Sequence, residues 1–232
     1  MHPPPSRTLA VVALLLVIPA SSVGVLAAMA FAPGSVGGQL TWALNKLWVF
    51  GVPLVWWLWV ERGRWSWSPM RRGGAVAGLV TGGAILLIIV GAWLVAGRHM
   101  VDVPGARQRL MGFGLDTPTI YLAACAYWIF INSVLEEYLW RWFVYRQFTA
   151  FMGRMAAVIA SGVAFTIHHT FALGFNFAWD WRIVLLGSLG VFVGGVTWSW
   201  LYARYESIWP GWISHALADV GVFTVGWMIL FA

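Results

Sequence analysis

Two adjacent glutamates and an arginine interrupt an apolar stretch of the sequence. Glu136 and Glu137 follow the stretch 121–135, and Arg141 comes four positions after Glu137. That spacing places Glu137 and Arg141 on one helical face, in the order that favours an ion pair. Glu136 is rotated by about 100° from its neighbour and cannot share the pair. It is therefore a carboxylate that needs another partner, and it is a candidate general base.

Two polar clusters further along the chain offer such partners. His215 and Asp219 are four residues apart on one helical face, so the aspartate can orient the imidazole ring. His168 and His169 are adjacent, so only one of them can point squarely into a common site. Ionisable groups at membrane depth are costly and are usually kept for a function. We therefore expect the three clusters to form one active site.

The elements that hold these clusters are predicted to be membrane helices. Of the 232 residues, 61% are hydrophobic and 9% are charged, whereas a soluble domain has roughly 25% charged residues. No polar stretch is long enough for a soluble domain, so we expect a single membrane domain over residues 1–232. The arginines are scattered between apolar runs, so the net charge of +6 does not indicate a nucleic-acid partner.

Seven stretches are long and apolar enough to cross a bilayer, which takes about 20 residues. They are 8–32, 40–60, 75–97, 118–141, 155–176, 183–203 and 208–231. The predicted fold class is an all-α, polytopic transmembrane helical bundle of about seven spans, with a range of six to eight. Thr117, Asp180 and Ser207 are predicted to cap the N-termini of the fourth, sixth and seventh spans.

The arginines predict which side of the membrane each end of the chain occupies. With seven spans, the side of the N-terminus collects eight arginines and the other side collects four. The eight are Arg7, Arg62, Arg64, Arg71, Arg72, Arg146, Arg154 and Arg204, and the four are Arg98, Arg107, Arg109 and Arg182. Because positive charge accumulates on the cytoplasmic side, we predict the N-terminus inside. The preference for arginine over lysine suggests a bacterial cytoplasmic membrane.

Other sequence features bear on packing and processing. Gly74, Gly78 and Gly82 form a stripe that lets helix backbones approach closely. The single cysteine, Cys125, excludes an intrachain disulfide and a cysteine-based zinc site. The first apolar stretch exceeds the usual signal-peptide core of about 7–15 residues, so we expect it to be a retained helix.

The three clusters together carry the motifs of a known family. The motifs are EExxxR at 136–141, FxxxH at 165–169 and HxxxN/D at 215–219. In this order they resemble the CAAX protease and bacteriocin-processing (CPBP) family of intramembrane proteases, which includes the type II CAAX prenyl endopeptidases. The resemblance defines a CPBP-like catalytic core at 118–225, and residues 1–117 contain N-terminal spans without a recognised motif.

The resemblance implies intramembrane proteolysis and gives four residues a catalytic role. Glu136 with His169 would activate a water, and His215 with Asp219 would stabilise the oxyanion. Amide hydrolysis requires such a base, such donors and a proton for the leaving amine. The family position of Asp219 is often asparagine, and an ionised aspartate would repel an oxyanion. Asp219 would therefore have to be protonated, or to act through His215.

The resemblance also assigns supporting residues and partners. Glu137 and Arg141 would support the geometry of the site, and His168 falls outside the motif and receives no catalytic role. We expect no cofactor, and as partners the lipid bilayer and a membrane-anchored or hydrophobic peptide or protein. No sequence pattern identifies that substrate as a prenylated protein, a bacteriocin-type leader or a sorting tail, and none indicates an oligomeric state.

Three other functions are compatible with the same residues. Zinc in a membrane metalloprotease could be bound by His169, His215, Glu136 and Asp219, although the sequence has no HExxH helix. A proton-coupled transporter would line a relay with such groups, although no internal repeat is evident. A bacteriocin-immunity protein would use the same scaffold without catalysis.

The depths of the candidate residues along their helices can be compared at 1.5 Å per residue. Glu136 lies about 27 Å from the outer side, and His215 about 10 Å from the inner side. His169 lies about 21 Å from the inner side, which requires that its helix begin nearer Ala160 or be tilted. We expect a cavity at the site that opens to the cytoplasm.

Overall fold

The described residues of the chain form seven membrane-length helices and one short helix. The computed structural model describes residues 5–31 and 35–232, and it contains no strand within those ranges. The helices are α1 (Arg7–Phe31), α2 (Val36–Val60), α3 (Ala75–Met100), α4 (Val103–Gly112), α5 (Pro118–Phe148), α6 (Arg154–Asn176), α7 (Trp181–Tyr205) and α8 (Ile208–Phe231). All except α4 are long and apolar enough to cross a membrane. The predicted fold class is confirmed, and the protein is a multi-pass integral membrane protein.

The helix boundaries lie close to the predicted ones. Ala32, the predicted last residue of the first span, lies outside the described residues. The predicted caps Thr117, Asp180 and Ser207 each accept a hydrogen bond from a backbone N–H two or three residues later, at 3.0–3.4 Å. Each bond satisfies an N–H that has no partner within the helix.

One face of helix α5 is completely covered by neighbouring helices. Its residues Leu139, Trp140, Phe143 and Val144 are almost fully buried. They belong to a hydrophobic core to which α1, α2, α6, α7 and α8 also contribute. The charged residues on this part of α5 are therefore surrounded by protein.

Helix α5 also continues seven residues beyond its predicted end, and this extension reconciles the depths of two candidate residues. Since α5 ends at Phe148, Glu136 is about 18 Å from that end. Since α6 begins at Arg154, His169 is about 22 Å from its start. Both ends lie on the same side of the bundle, which we term the N-terminal face. The two residues reach similar depths although α6 begins at Arg154, within one residue of its predicted start, so a start nearer Ala160 is not needed.

The winding of α5 widens on both sides of the two glutamates. Residues 128–132 and 138–144 form π-helical turns, and the α-helical turn 133–137 between them carries Glu136 and Glu137. Single π-turns inside helices are frequent at functional sites. The wide turns on α5 lie next to its charged residues, whereas α1 and α2 end in similar turns away from them.

The predicted glycine stripe packs α3 against α8, the helix that carries His215. A Cβ added at Gly78 would lie 2.5 Å from the carbonyl oxygen of Pro210, and one added at Gly82 would lie 2.7 Å from the Cα of Ser214. Larger residues would force the helices apart, so glycine permits this close approach. Because Ser214 precedes His215, the contact fixes the position of the histidine backbone.

Replacing Gly82 by alanine is expected to push α3 away from α8. Overpacking of this kind costs about 1–3 kcal/mol, so thermal unfolding in lipid nanodiscs should show a Tm lowered by several degrees. The matched control is Gly83→Ala on the same helix, where nothing lies within 4 Å of an added Cβ. Equal midpoints for the two variants would contradict the packing role of the stripe.

Candidate active site

Glu137 is the centre of a buried polar cluster inside the bundle. The residue is fully buried, and its Oε1 lies 3.0 Å from His215 Nδ1 and 3.5 Å from Arg141 Nη1. An ionised carboxylate only accepts hydrogen bonds, so His215 donates from Nδ1. The structure thus contains the ion pair expected from the spacing on α5. The same carboxylate also holds the imidazole ring of α8.

Arg141 is fully buried and ties α5 to the two helices that follow it, α6 and α7. Its guanidinium carbon lies 4.5 Å from the ring centre of Phe165 on α6 and 5.1 Å from that of Trp198 on α7. Its Nη2 approaches the carbonyl oxygen of Gly195 at 3.5 Å. A desolvated cation gains from contact with aromatic faces. The phenylalanine of the FxxxH motif therefore supports the arginine of the EExxxR motif.

His215 faces two further carboxylates with its other nitrogen. Its Nε2 lies 3.7 Å from Glu136 Oε2 and 3.7 Å from Asp219 Oδ1. Its ring stacks on Trp198 with 3.9 Å between centroids and an interplanar angle of 12°. The expected hydrogen bond from Asp219 is not formed, because 3.7 Å is too long. Glu137 orients the ring instead, and Nε2 is left to face Glu136 and Asp219.

His169 has a defined tautomer, set by its own helix. Its Nδ1 lies 3.0 Å from the carbonyl oxygen of Phe165. Because a carbonyl oxygen only accepts, Nδ1 carries the proton and Nε2 carries the lone pair of the neutral ring. A ring nitrogen of His169 and a carboxylate oxygen of Glu136 lie within 4.8 Å of each other. A water between them would have two proton acceptors beside it.

His168 lies beside Glu136, although it falls outside the motif and no role was predicted for it. Donor atoms of Glu136, His168 and His169 all lie within 4.8 Å of one another. The His168 ring stacks on Trp140 with 5.2 Å between centroids. Its Nδ1 is buried without a hydrogen-bond partner in the part of the chain that the structure describes. These three residues, rather than a set that includes His215 and Asp219, form the cluster suited to a metal ion.

Two residues that the sequence analysis missed complete the surroundings of Glu136. Asn132 Nδ2 donates to Glu136 Oε1 at 2.9 Å, and Lys46 Nζ donates to Asn132 Oδ1 at 2.9 Å. Lys46 lies on α2, far from every motif in sequence. As an ionisable residue in an apolar span, it meets the same criterion that singled out Glu136. Asn132 is signalled only by its four-residue spacing from Glu136.

A cavity of about 790 Å³ opens on the N-terminal face. The arginines that line it include Arg71, Arg72, Arg146 and Arg154, and none of Glu136, His169, His215 and Asp219 lines it. Trp142, which does line it, is about a turn and a half along α5 from Glu136. This cavity is therefore not the expected one at the site.

The segment that holds this site matches a known family. Residues 118–221 match the family model described as type II CAAX prenyl endopeptidase Rce1-like. This segment is therefore similar to the type II CAAX prenyl endopeptidases. The predicted resemblance is confirmed, and the Rce1-like segment contains all three motifs. No curated protein and no solved structure matches the chain.

Removing the charge of Arg141 alone is expected to destabilise the Rce1-like segment strongly. Arg141→Met leaves the fully buried Glu137 without its cation, and loss of one partner of a buried pair costs about 3–5 kcal/mol. The double variant Glu137→Gln/Arg141→Met removes both charges and should recover much of this loss. Reversible unfolding in mixed micelles measures the free energies.

The control for this comparison is Arg182→Met. Arg182 pairs with Asp180 at the surface, where the two side chains are 49% and 28% exposed. Exposed pairs contribute little to stability because solvent and salt screen them, so this variant should unfold almost like the wild type. If Arg141→Met lowers the free energy of unfolding no more than Arg182→Met does, Arg141 is not needed to balance the buried charge of Glu137.

Proposed function

We propose that this protein is a glutamate-dependent intramembrane endopeptidase that cuts a membrane-anchored or hydrophobic peptide or protein. The match of residues 118–221 to the Rce1-like family model supports intramembrane endopeptidase activity in general. The observation that carries the finer proposal is the meeting of α5, α6 and α8 at one point. There Glu136 lies 3.7 Å from His215 and within 4.8 Å of a ring nitrogen of His169.

The first step is activation of a water between Glu136 and His169. The Glu136 carboxylate takes one proton as the water oxygen attacks the carbon of the scissile carbonyl. His169 accepts a hydrogen bond from the same water through Nε2, because its Nδ1–H is held by the Phe165 carbonyl. A base placed in this way contributes about 10²–10⁴-fold to the rate.

The second step is stabilisation of the oxyanion and release of the amine. When His215 carries both protons, Nδ1–H donates to Glu137 and Nε2–H can donate to the carbonyl oxygen as it becomes negative. Stacking on Trp198 fixes the plane of the ring. The C–N bond then breaks, and the leaving nitrogen takes the proton that Glu136 received. The products are a carboxylic acid and an amine.

Replacing Glu136 by glutamine is expected to abolish proteolysis. Glutamine keeps the shape of the side chain but cannot take a proton from water, so turnover should fall by about 10² or more. The assay compares purified variants on membrane-anchored peptides with and without a prenyl group. Cleavage by Glu136→Gln at the wild-type rate would show that another residue is the base.

Asp219→Asn is expected to keep the activity, and Asp219→Leu to lower it. We propose that Asp219 donates a hydrogen bond to the oxyanion in its protonated form, and an asparagine amide donates in the same place. Loss of one oxyanion donor lowers turnover by about 10²–10³. Measured kcat values of the two variants decide the point. If asparagine is as damaging as leucine, Asp219 does not act as a donor.

A metal-dependent protease is the second candidate, because the Glu136–His168–His169 cluster offers three ligands. The two candidates differ at His168, which would be a metal ligand in the metalloprotease and has no catalytic role in the metal-free mechanism. We propose the metal-free mechanism, so His168→Gln should cleave at a rate within a few fold of wild type and a chelator should have no effect. His169→Gln is the matched variant that should lose activity. Loss of activity with a chelator and in both variants would establish the metalloprotease.

We also propose that the N-terminal face is cytoplasmic in a bacterial membrane. Eight arginines on this face against four on the other support that orientation. The activated water lies about 18–22 Å from the helix ends on this face. The scissile bond would therefore have to enter the bilayer, which fits a substrate anchored in the membrane.

A further inference from the structure

Lys46 places an ammonium group at membrane depth on a helix that carries none of the motifs. It is the only lysine in the sequence. It lies ten residues from the start of α2 at Val36, or about 15 Å along the helix. A charge at this depth is costly and normally faces a partner inside the protein. The family match begins at Pro118, so Lys46 lies outside it.

The contacts of Lys46 direct its charge towards a single acceptor. Its Nζ lies 5.5 Å from the ring centre of Trp42 and 5.3 Å from that of Phe50, one helical turn on either side. Its hydrogen bond at 2.9 Å goes to Asn132 Oδ1 on α5. Within residues 5–31 and 35–232, no carboxylate forms an ion pair with Lys46. The ammonium is therefore held by an amide and not by an acid.

The amide of Asn132 has only one favourable orientation between its two neighbours. Its oxygen faces the Lys46 ammonium, and its nitrogen donates to Glu136 Oε1 at 2.9 Å. The reversed amide would direct N–H groups at a cation and an oxygen at a carboxylate, which is repulsive at both ends. The cation also polarises the amide and strengthens its bond to Glu136, because neighbouring hydrogen bonds are cooperative. Lys46 thus determines which group Asn132 presents to Glu136.

The charges of the site show why Glu136 needs this arrangement. Glu137 has Arg141 as its cation at 3.5 Å. Lys46 supplies a second positive charge on the side of Glu136, with Asn132 between them. Because Asn132 holds Oε1, the carboxylate cannot rotate and Oε2 remains directed towards His215, 3.7 Å away. The oxygen that must accept the proton is thereby fixed in place.

We propose that Lys46 is a positioning residue of the active site, which fixes and orients the Glu136 base through Asn132. This inference rests on the proposed function of Glu136 as general base. It gives the N-terminal spans a part in the reaction, because α2 then contributes a residue to a site otherwise built from α5, α6 and α8. A residue that acts only through the orientation of a base should affect kcat and leave KM nearly unchanged.

The kinetic test replaces the two residues singly and together. Lys46→Met and Asn132→Leu should each lower kcat about tenfold or more, since each loosens a base that contributes about 10²–10⁴-fold. KM should stay within about twofold. Because Lys46 acts through Asn132, the double variant should be no slower than Asn132→Leu alone. Lys46→Arg keeps the charge and donors, so it should recover much of the loss.

The matched control is Asn45→Ala on the same helix. Asn45 donates to the carbonyl oxygen of Ala20 on α1 at 2.7 Å, away from the site. Its loss should lower the Tm and leave kcat unchanged, whereas Lys46→Met should lower kcat and keep the Tm. A wild-type kcat for Lys46→Met would overturn the inference. A double variant whose loss of kcat equals the product of the two single losses would also overturn it.

A second measurement does not depend on turnover. Because the chain has one lysine, selective ¹⁵N-lysine labelling gives a single Nζ resonance by NMR. Asn132→Leu and Glu136→Gln should both shift this resonance, and Asn45→Ala should not. If Asn132→Leu leaves the Nζ resonance unchanged, the contact between Lys46 and Asn132 does not exist.

The two measurements together separate failure of the inference from failure of the proposed function. If wild type cleaves, Glu136→Gln does not, and Lys46→Met equals wild type, only the role of Lys46 is wrong. If Glu136→Gln cleaves like wild type, Glu136 is not the base and both proposals fail.

Discussion

The buried carboxylate of Glu137 is the interaction on which the rest of the site depends. It accepts from His215 Nδ1 at 3.0 Å and pairs with Arg141 at 3.5 Å, so one group joins α5 to α8. Residue 211 on α8 is glycine, and a Cβ added there would force the Glu137 carboxylate to shift. A buried charge without partners would be very costly. The bundle therefore holds this contact, and with it the position of His215.

This anchor gives the two adjacent glutamates different tasks. Because they point in different directions from one helical turn, Glu137 is occupied by structural partners while Glu136 faces His169, His215 and Asn132. Asn132 holds Oε1 of Glu136, and the Lys46 ammonium contacts that amide rather than the carboxylate, so the lysine does not compete for the oxygen that accepts the proton. The polar groups around Glu137 thus hold the helices in place, and those around Glu136 can take part in the reaction.

The sequence predicted the helices and the family resemblance, because hydrophobic length, capping residues and motif spacing are local signals. It did not predict how far α5 extends, since residues 142–148 pack aromatic side chains rather than a uniformly apolar run. It also misassigned the partner of the His215 ring, because Asp219 is close in sequence whereas Glu137 becomes close only when α8 packs on α5. Lys46 and Asn132 were missed for the same reason. Contacts between helices depend on how each helix is rotated about its axis relative to its neighbours. The spacing of residues within one helix does not determine that rotation.

A single-turnover cleavage in H₂¹⁸O tests most directly whether Glu136 acts as a base on water. With enzyme in excess over a cleavable membrane-anchored peptide, mass spectrometry of both protein and product locates the label. If Glu136 acts as the base, ¹⁸O appears in the new C-terminal carboxylate of the product and none appears in the Glu136 side chain. Label in the Glu136 carboxylate would mean that this residue attacks the substrate itself, which would contradict the proposed mechanism.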